Sequence, residues 1–118
     1  MLNKVRRLSL SFPGATENIQ WGNDRVFKVA GKMFLCMGTE PNSGFSFKAD
    51  DDRFLELTDL PGIDPAPYLA RARWVRVEPA ECPLPYAELK PLVRRSYELV
   101  FARLTRKARR AILDQEPT

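Results

Sequence analysis

A chain of 118 residues with 44% hydrophobic and 29% charged side chains is long enough to bury one core and too ordinary in composition to be disordered or fibrous. It contains no histidine and only two cysteines, Cys36 and Cys82, which form no CxxC pair, so a Cys/His zinc site is excluded. The formal net charge of +4 speaks for an anionic partner only where the charge is concentrated.

Leu2, Val5 and Leu8 recur at helical spacing until Phe12-Pro13-Gly14 breaks the pattern, which predicts a short amphipathic helix ending near Leu10. Residues 15–24, with Trp21-Gly22, read as a polar connection. The runs 25–30 and 32–37 then meet across Gly31, where a tight turn makes a hairpin. Within the second run Cys36 reads as a small packing residue. After the turn Glu40-Pro41-Asn42-Ser43-Gly44, the alternation Phe45-Ser46-Phe47-Lys48 predicts a third strand with one apolar face.

Asp50, Asp51 and Asp52 precede Phe54, Leu55 and Leu57 and are expected to cap a short helix that Leu60-Pro61-Gly62 ends. Consecutive aspartates diverge in direction, so a cation loop is not indicated. Asp64-Pro65-Ala66-Pro67 must run extended, and Arg73-Trp74-Val75-Arg76-Val77 gives a fourth strand. A last helix is expected from about Pro85 towards Arg110, with Pro91 bending or delaying its start. At 100° per residue Leu89, Val93, Ser96, Val100, Leu104 and Ala111 share its inner face. The outer face carries Arg94, Arg95, Arg106, Lys107 and Arg110.

The result is an α+β fold, an antiparallel sheet of about four strands with helices packed on one face, in the order α-β-β-β-α-β-α. One domain over residues 1–112 and a short polar tail over 113–118 are expected. No apolar run approaches the roughly 20 residues of a membrane span, and the N-terminus lacks a secretory apolar region, so a cytoplasmic protein without a membrane partner is expected.

The charge is concentrated. Residues 90–110 hold eight basic side chains against Glu98 alone, a net +7, so the remainder of the chain carries −3 within the total of +4. Such a cluster attracts polyanions by counterion release. The sheet offers a second basic surface, since alternation places Lys28, Lys48 and Arg76 on the face away from Phe45 and Phe47. Trp74 shares the parity of Arg76 and reads either as a stacking platform for bases or as a core residue. Catalytic machinery is not legible: the commonest proton carrier is missing, and no nucleophile elbow or phosphate loop occurs.

Ser11-Phe12-Pro13-Gly14-Ala15-Thr16-Glu17, Trp21-Gly22, Phe27-Lys28-Val29, Gly31-Lys32-Met33-Phe34, Phe47-Lys48-Ala49, Pro65-Ala66-Pro67-Tyr68-Leu69, Trp74-Val75 and Ser96-Tyr97-Glu98-Leu99-Val100 form an ordered set. Taken together it resembles the MmcQ/YjbR family from about Leu10 to Leu104. The resemblance implies a CyaY-like fold and a double-wing DNA-binding arrangement. It carries lysine motifs onto Lys32 and Lys48 and aromatic positions onto Trp21, Trp74 and Tyr97, and it transfers no catalytic site. Frataxin-type iron binding needs an acidic helix, whereas the first helix here holds Lys4, Arg6 and Arg7.

The expected function is therefore non-enzymatic DNA binding through phosphate contacts, without cofactor or metal. Its expected contacts are Lys28, Lys32, Lys48, Trp74, Arg76, Arg94, Arg95, Arg106, Lys107 and Arg110. The alternative is a small protein-interaction or ligand-binding module, which a deep apolar pocket would favour; its partner is not specified by the sequence.

Overall fold

Between Val29 and Lys32 the chain reverses through Ala30 and Gly31, at φ of 49° and 79°. Two successive positive φ values make a type I′ turn, whose twist matches the strands it joins. It links β2 (Asp24–Val29) to β3 (Lys32–Gly38) at the centre of the computed structural model, which describes residues 1–67 and 69–115. Alanine is strained in this region and asparagine is not, so Ala30→Asn is expected to stabilise the protein by about 0.5–1 kcal/mol. The check is the denaturant midpoint, and a midpoint at or below that of the parent would contradict the turn assignment.

β4 (Phe45–Lys48) and β6 (Trp74–Val77) are strands, as expected; β4 pairs with β3, and β6 pairs with β4. Among the described residues the sheet nevertheless has six strands, all antiparallel, in the order β1-β2-β3-β4-β6-β5, rather than about four. β1 (Ala15–Gln20) occupies the supposed polar connection. Its sequence lacks an apolar signal because an edge strand can leave much of its surface wet, and backbone pairing from Ala15 to Gln20 with β2 holds it. β5 (Ile63–Pro65) forms the other edge, where a proline is tolerated. Of residues 65–69, assigned to an extended linker, Tyr68 lies outside the described residues.

The four α-helices among the described residues lie on one face. Val5 and Leu8 of α1 (Leu2–Ser11), Phe54 and Leu57 of α2 (Asp51–Thr58), Leu89 and Val93 of α3 (Tyr86–Ala102) and Ile112 of α4 (Arg106–Asp114) share one core with Phe27, Leu35, Phe47 and Val75. The opposite face carries the cross-strand row Asn18, Val26, Cys36, Ser46, Arg76 and Asp64. Cys36 is thus half-buried on the outer face, not in the core, and burial pushes its thiol up to about 11. It stays protonated and inert at neutral pH.

α1 is tied to the edge strand by Arg6, which donates to both carboxylate oxygens of Glu17 at 2.6 and 2.9 Å. That hydrogen bond holds Glu17 below its ordinary 4.5, against the opposing effect of burial. A depressed folded value contributes stability above pH 4.5 that is lost as pH falls through it. Glu17→Gln is expected to flatten the decline of Tm between pH 5 and 3 slightly, because Arg6 is solvent-screened. An equally steep decline in both proteins would contradict this.

The last helix departs most from expectation. α3 includes Pro91 but ends at Ala102, and a separate α4 starts at Arg106, so the helix expected to run unbroken towards Arg110 is two helices. Thr105 makes the second start: its hydroxyl accepts from Ala108 N at 3.1 Å as an N-cap. The Arg109 guanidinium donates to Ala102 O at 3.3 Å, satisfying a carbonyl at the end of α3. The break turns Ile112 inward in place of the exposed Ala111, and Ile112 packs over Gly14, where an added Cβ would stand 3.1 Å from it. α4 also runs to Asp114, past the expected domain end at 112, while residues 116–118 of the supposed tail lie outside the described residues.

A second correction concerns Asp50. It is the N-cap residue of α2 by position, yet its side chain makes no capping hydrogen bond. Arg95 Nε instead donates to its two oxygens at 3.1 and 3.0 Å, a charge-assisted pair that engages the carboxylate in place of the cap. Asp51 and Asp52 remain in the first turn, where the helix dipole favours them.

Candidate functional site

The strand directions decide which basic residues meet. β3 begins at Lys32, β4 ends at Lys48 and β6 begins at Trp74, and antiparallel pairing puts these three ends together. The C-terminal end of α3 reaches the same place. Lys32, Met33, Lys48, Ala72, Trp74, Val100 and Arg103 line a cleft of about 370 Å³ there.

α3 is fixed over this end by one buried hydroxyl. Ser96 Oγ donates to Phe34 O at 2.6 Å and accepts from Lys48 N at 2.9 Å, bridging β3 to β4. Phe34 is available for this because the β2–β3 register slips between Phe27 and Lys28, which pair with Leu35 and Met33. Beside it, the Tyr97 hydroxyl donates to Pro13 O at 2.6 Å and its ring stacks on Phe12 at 4.8 Å. Tyr97 therefore locks α3 to the end of α1, a structural use of two of the family-like motifs.

The cleft is strongly cationic. Among the described residues, Lys32, Lys48 and Arg103 take part in no ion pair. Lys48 Nζ donates to Ala72 O. Partial burial holds the Lys48 ammonium below its ordinary range, the Arg103 guanidinium and Arg73 push the same way, and Asp51 opposes them. Arg73, at a left-handed φ of 65°, is itself bound to Asp51 at 3.2 Å. An anion entering the cleft would relieve this repulsion. α4 starts just beyond Arg103 and exposes Arg106, Lys107 and Arg110, also without ion pairs among the described residues.

The other expected contacts are dispersed. Lys28 lies across the ladder from Met33, at the margin of the cleft. Trp74 lines the cleft but is only 5% exposed, too little for a base to stack on its ring without rearrangement. Arg76 sits in a separate crevice on the outer face and pairs with Glu78 at 3.4 Å. Arg94 borders a hollow beside Pro13 and Tyr97, and Arg95 is bound to Asp50 and Glu98. Trp21 is 71% exposed at the tip of the β1–β2 hairpin, with φ of 52°.

Arg103 and Arg73 belong to the cationic cluster yet are absent from the residues expected from sequence. Arg103 could be placed only by recognising Thr105 as a cap that stops α3; Arg73 has no sequence signal beyond its proximity to Trp74. A larger groove of about 620 Å³ runs between α2 and α3, with Leu57, Leu60, Leu84 and Leu92 in its lining. Its arginines, Arg53 and Arg95, are already paired, with Glu56 and with Asp50. Among the described residues no helix is long and apolar enough to cross a membrane.

Comparison places this architecture among known ones. The crystal structure of the Deinococcus radiodurans protein DR2400, described as a DUF419 domain, is similar with a TM-score of 0.81 and 25% identity, covering 95% of this chain and 87% of that one. A Pseudomonas syringae protein shares the fold at a TM-score of 0.67 and 18% identity, covering 82% of this chain and 96% of that one. No curated protein matches the sequence. The YjbR family model matches residues 10–99, which include β1 to β6, Ser96 and Tyr97. The chain belongs to the YjbR family.

Proposed function

We propose that the protein is a non-enzymatic nucleic-acid-binding protein, with DNA the expected ligand, that holds phosphate groups in the cleft of Lys32, Lys48 and Arg103 and along the outer face of α4. The observation that supports this reading is the convergence of three cations from β3, β4 and the end of α3, none in an ion pair among the described residues, in one cleft beside a helix that exposes three more. Phosphate contacts of this kind give affinity without base specificity. In the double-wing use of the hairpins, β2–β3 delivers Lys32 while the β1–β2 tip presents Trp21.

Binding driven by counterion release weakens linearly in log affinity against log salt, with a slope near −0.9 for each duplex phosphate neutralised. Fluorescence anisotropy with a labelled duplex and a labelled single strand, from about 20 to 200 mM salt, measures that slope. No binding at the lowest salt would end the proposal. The α2–α3 groove favours a second reading, a small apolar ligand with its own site there, and saturable binding insensitive to salt would support it.

A further inference from the structure

The composition of the cleft points to more than generic backbone contact. An internal phosphodiester offers one negative charge and two free oxygens, and successive diesters along a strand suit a row of separated cations. The exposed Arg106, Lys107 and Arg110 on α4 supply such a row. The cleft differs: Lys32, Lys48 and Arg103 face a single volume of about 370 Å³, and Met33, Val100 and Trp74 form its apolar walls. Among the described residues nothing acidic lines it, and the nearby Asp51 is bound to Arg73.

Three cations around one small space, none of them in an ion pair among the described residues, match a group carrying close to two negative charges and three acceptor oxygens, which is a phosphate monoester. The volume lies within the roughly 300–1,000 Å³ of small-ligand sites, so the phosphate can bring an attached sugar against the apolar walls. We infer that the cleft is a phosphate-monoester site, which takes the phosphorylated end of a nucleic-acid strand while α4 follows the diesters behind it. This rests on the nucleic-acid reading for its macromolecular ligand. A free nucleotide carries the same chemistry.

The test uses the full chain and short single-stranded DNA oligonucleotides of one sequence, labelled internally, with a 5′-phosphate, a 3′-phosphate or hydroxyls at both ends. One phosphorylated form is expected to bind at least about tenfold more tightly than the hydroxyl form, a difference of about 1.4 kcal/mol. Lys48→Gln with Arg103→Gln is expected to abolish that preference and to weaken the hydroxyl strand as well, since both residues belong to the proposed phosphate contacts, so the readout is the ratio of the phosphorylated to the hydroxyl affinity, which falls to about one. Lys32→Gln, on the exposed start of β3, should reduce the preference and keeps the test valid if the double variant does not fold. Nucleoside monophosphate as competitor separates the sources: displacement of the phosphorylated strand at micromolar nucleotide supports the monoester site and identifies free nucleotide as a ligand. Equal, salt-dependent affinity for all three strands overturns the monoester site and leaves the nucleic-acid reading standing. No binding of any strand, with nucleotide still bound, supports the monoester site and overturns the nucleic-acid reading.

Discussion

Reversing two charges in the cleft, Lys48→Glu with Arg103→Glu, is expected to weaken DNA binding at about 50 mM salt by at least tenfold and to reduce the salt slope by about two. Among the described residues neither side chain takes part in an ion pair, so the reversal breaks none and costs internally only the Lys48 Nζ donation to Ala72 O. Burial chiefly, with Arg103 and Arg73 adding to it against Asp51, holds the Lys48 ammonium below its ordinary range, in keeping with a cluster of positive charge at this cleft. Arg76→Glu with Arg94→Glu changes net charge by the same amount at two sites away from the cleft. That control is expected to lose less than about threefold, which separates a local site from general attraction. Equal losses in the two double variants would mean that net charge alone governs binding.

Ser96→Ala is expected to produce the largest loss of stability from a single small change. The hydroxyl is fully buried and serves two backbone groups on different strands, Phe34 O and Lys48 N. Alanine leaves a buried acceptor and a buried donor unmatched, at about 1–3 kcal/mol for each group left without a partner. A combined cost of about 2–4 kcal/mol corresponds to a fall in Tm of roughly 8–16 °C for a domain of this size. Thermal unfolding by circular dichroism measures it. A fall below about 3 °C would mean that the backbone relaxes to satisfy itself and that Ser96 is not the clamp between β3 and β4.

Much of the architecture is legible where apolar periodicity is strong. Phe45-Ser46-Phe47-Lys48 alternates and is β4; Leu89, Val93, Ser96 and Val100 recur at helical spacing and face the core. The two missed strands carry no such signal. β1 is polar because it is an edge, and β5 is three residues long and contains a proline. The end of α3 was hidden for another reason: residues 102–106 have ordinary helix propensity, and only the Thr105 hydroxyl and the inward turn of Leu104 and Ile112 decide the break.

The same break explains how much of the site could be read. Lys32 and Lys48 were identifiable as lysines at strand ends, but their meeting depends on antiparallel register across β3, β4 and β6, which a single sequence does not encode locally. Extending the last helix straight through Arg103 would have carried the basic residues away from the sheet. Ending it at Ala102 leaves Arg103 in the same cleft as Lys48. Trp74 illustrates the opposite limit, since parity placed it correctly on the Arg76 side while burial removed it from the surface.

The most direct measurement is a backbone amide NMR titration of the protein with short DNA at low salt. Phosphate binding in the cleft predicts the largest shifts at Lys32, Met33, Lys48, Arg73 and Arg103 and in the first turn of α4, fading as salt rises. Shifts centred instead on the α2–α3 groove at Leu57, Leu84 and Leu92, or around Arg76, would contradict it.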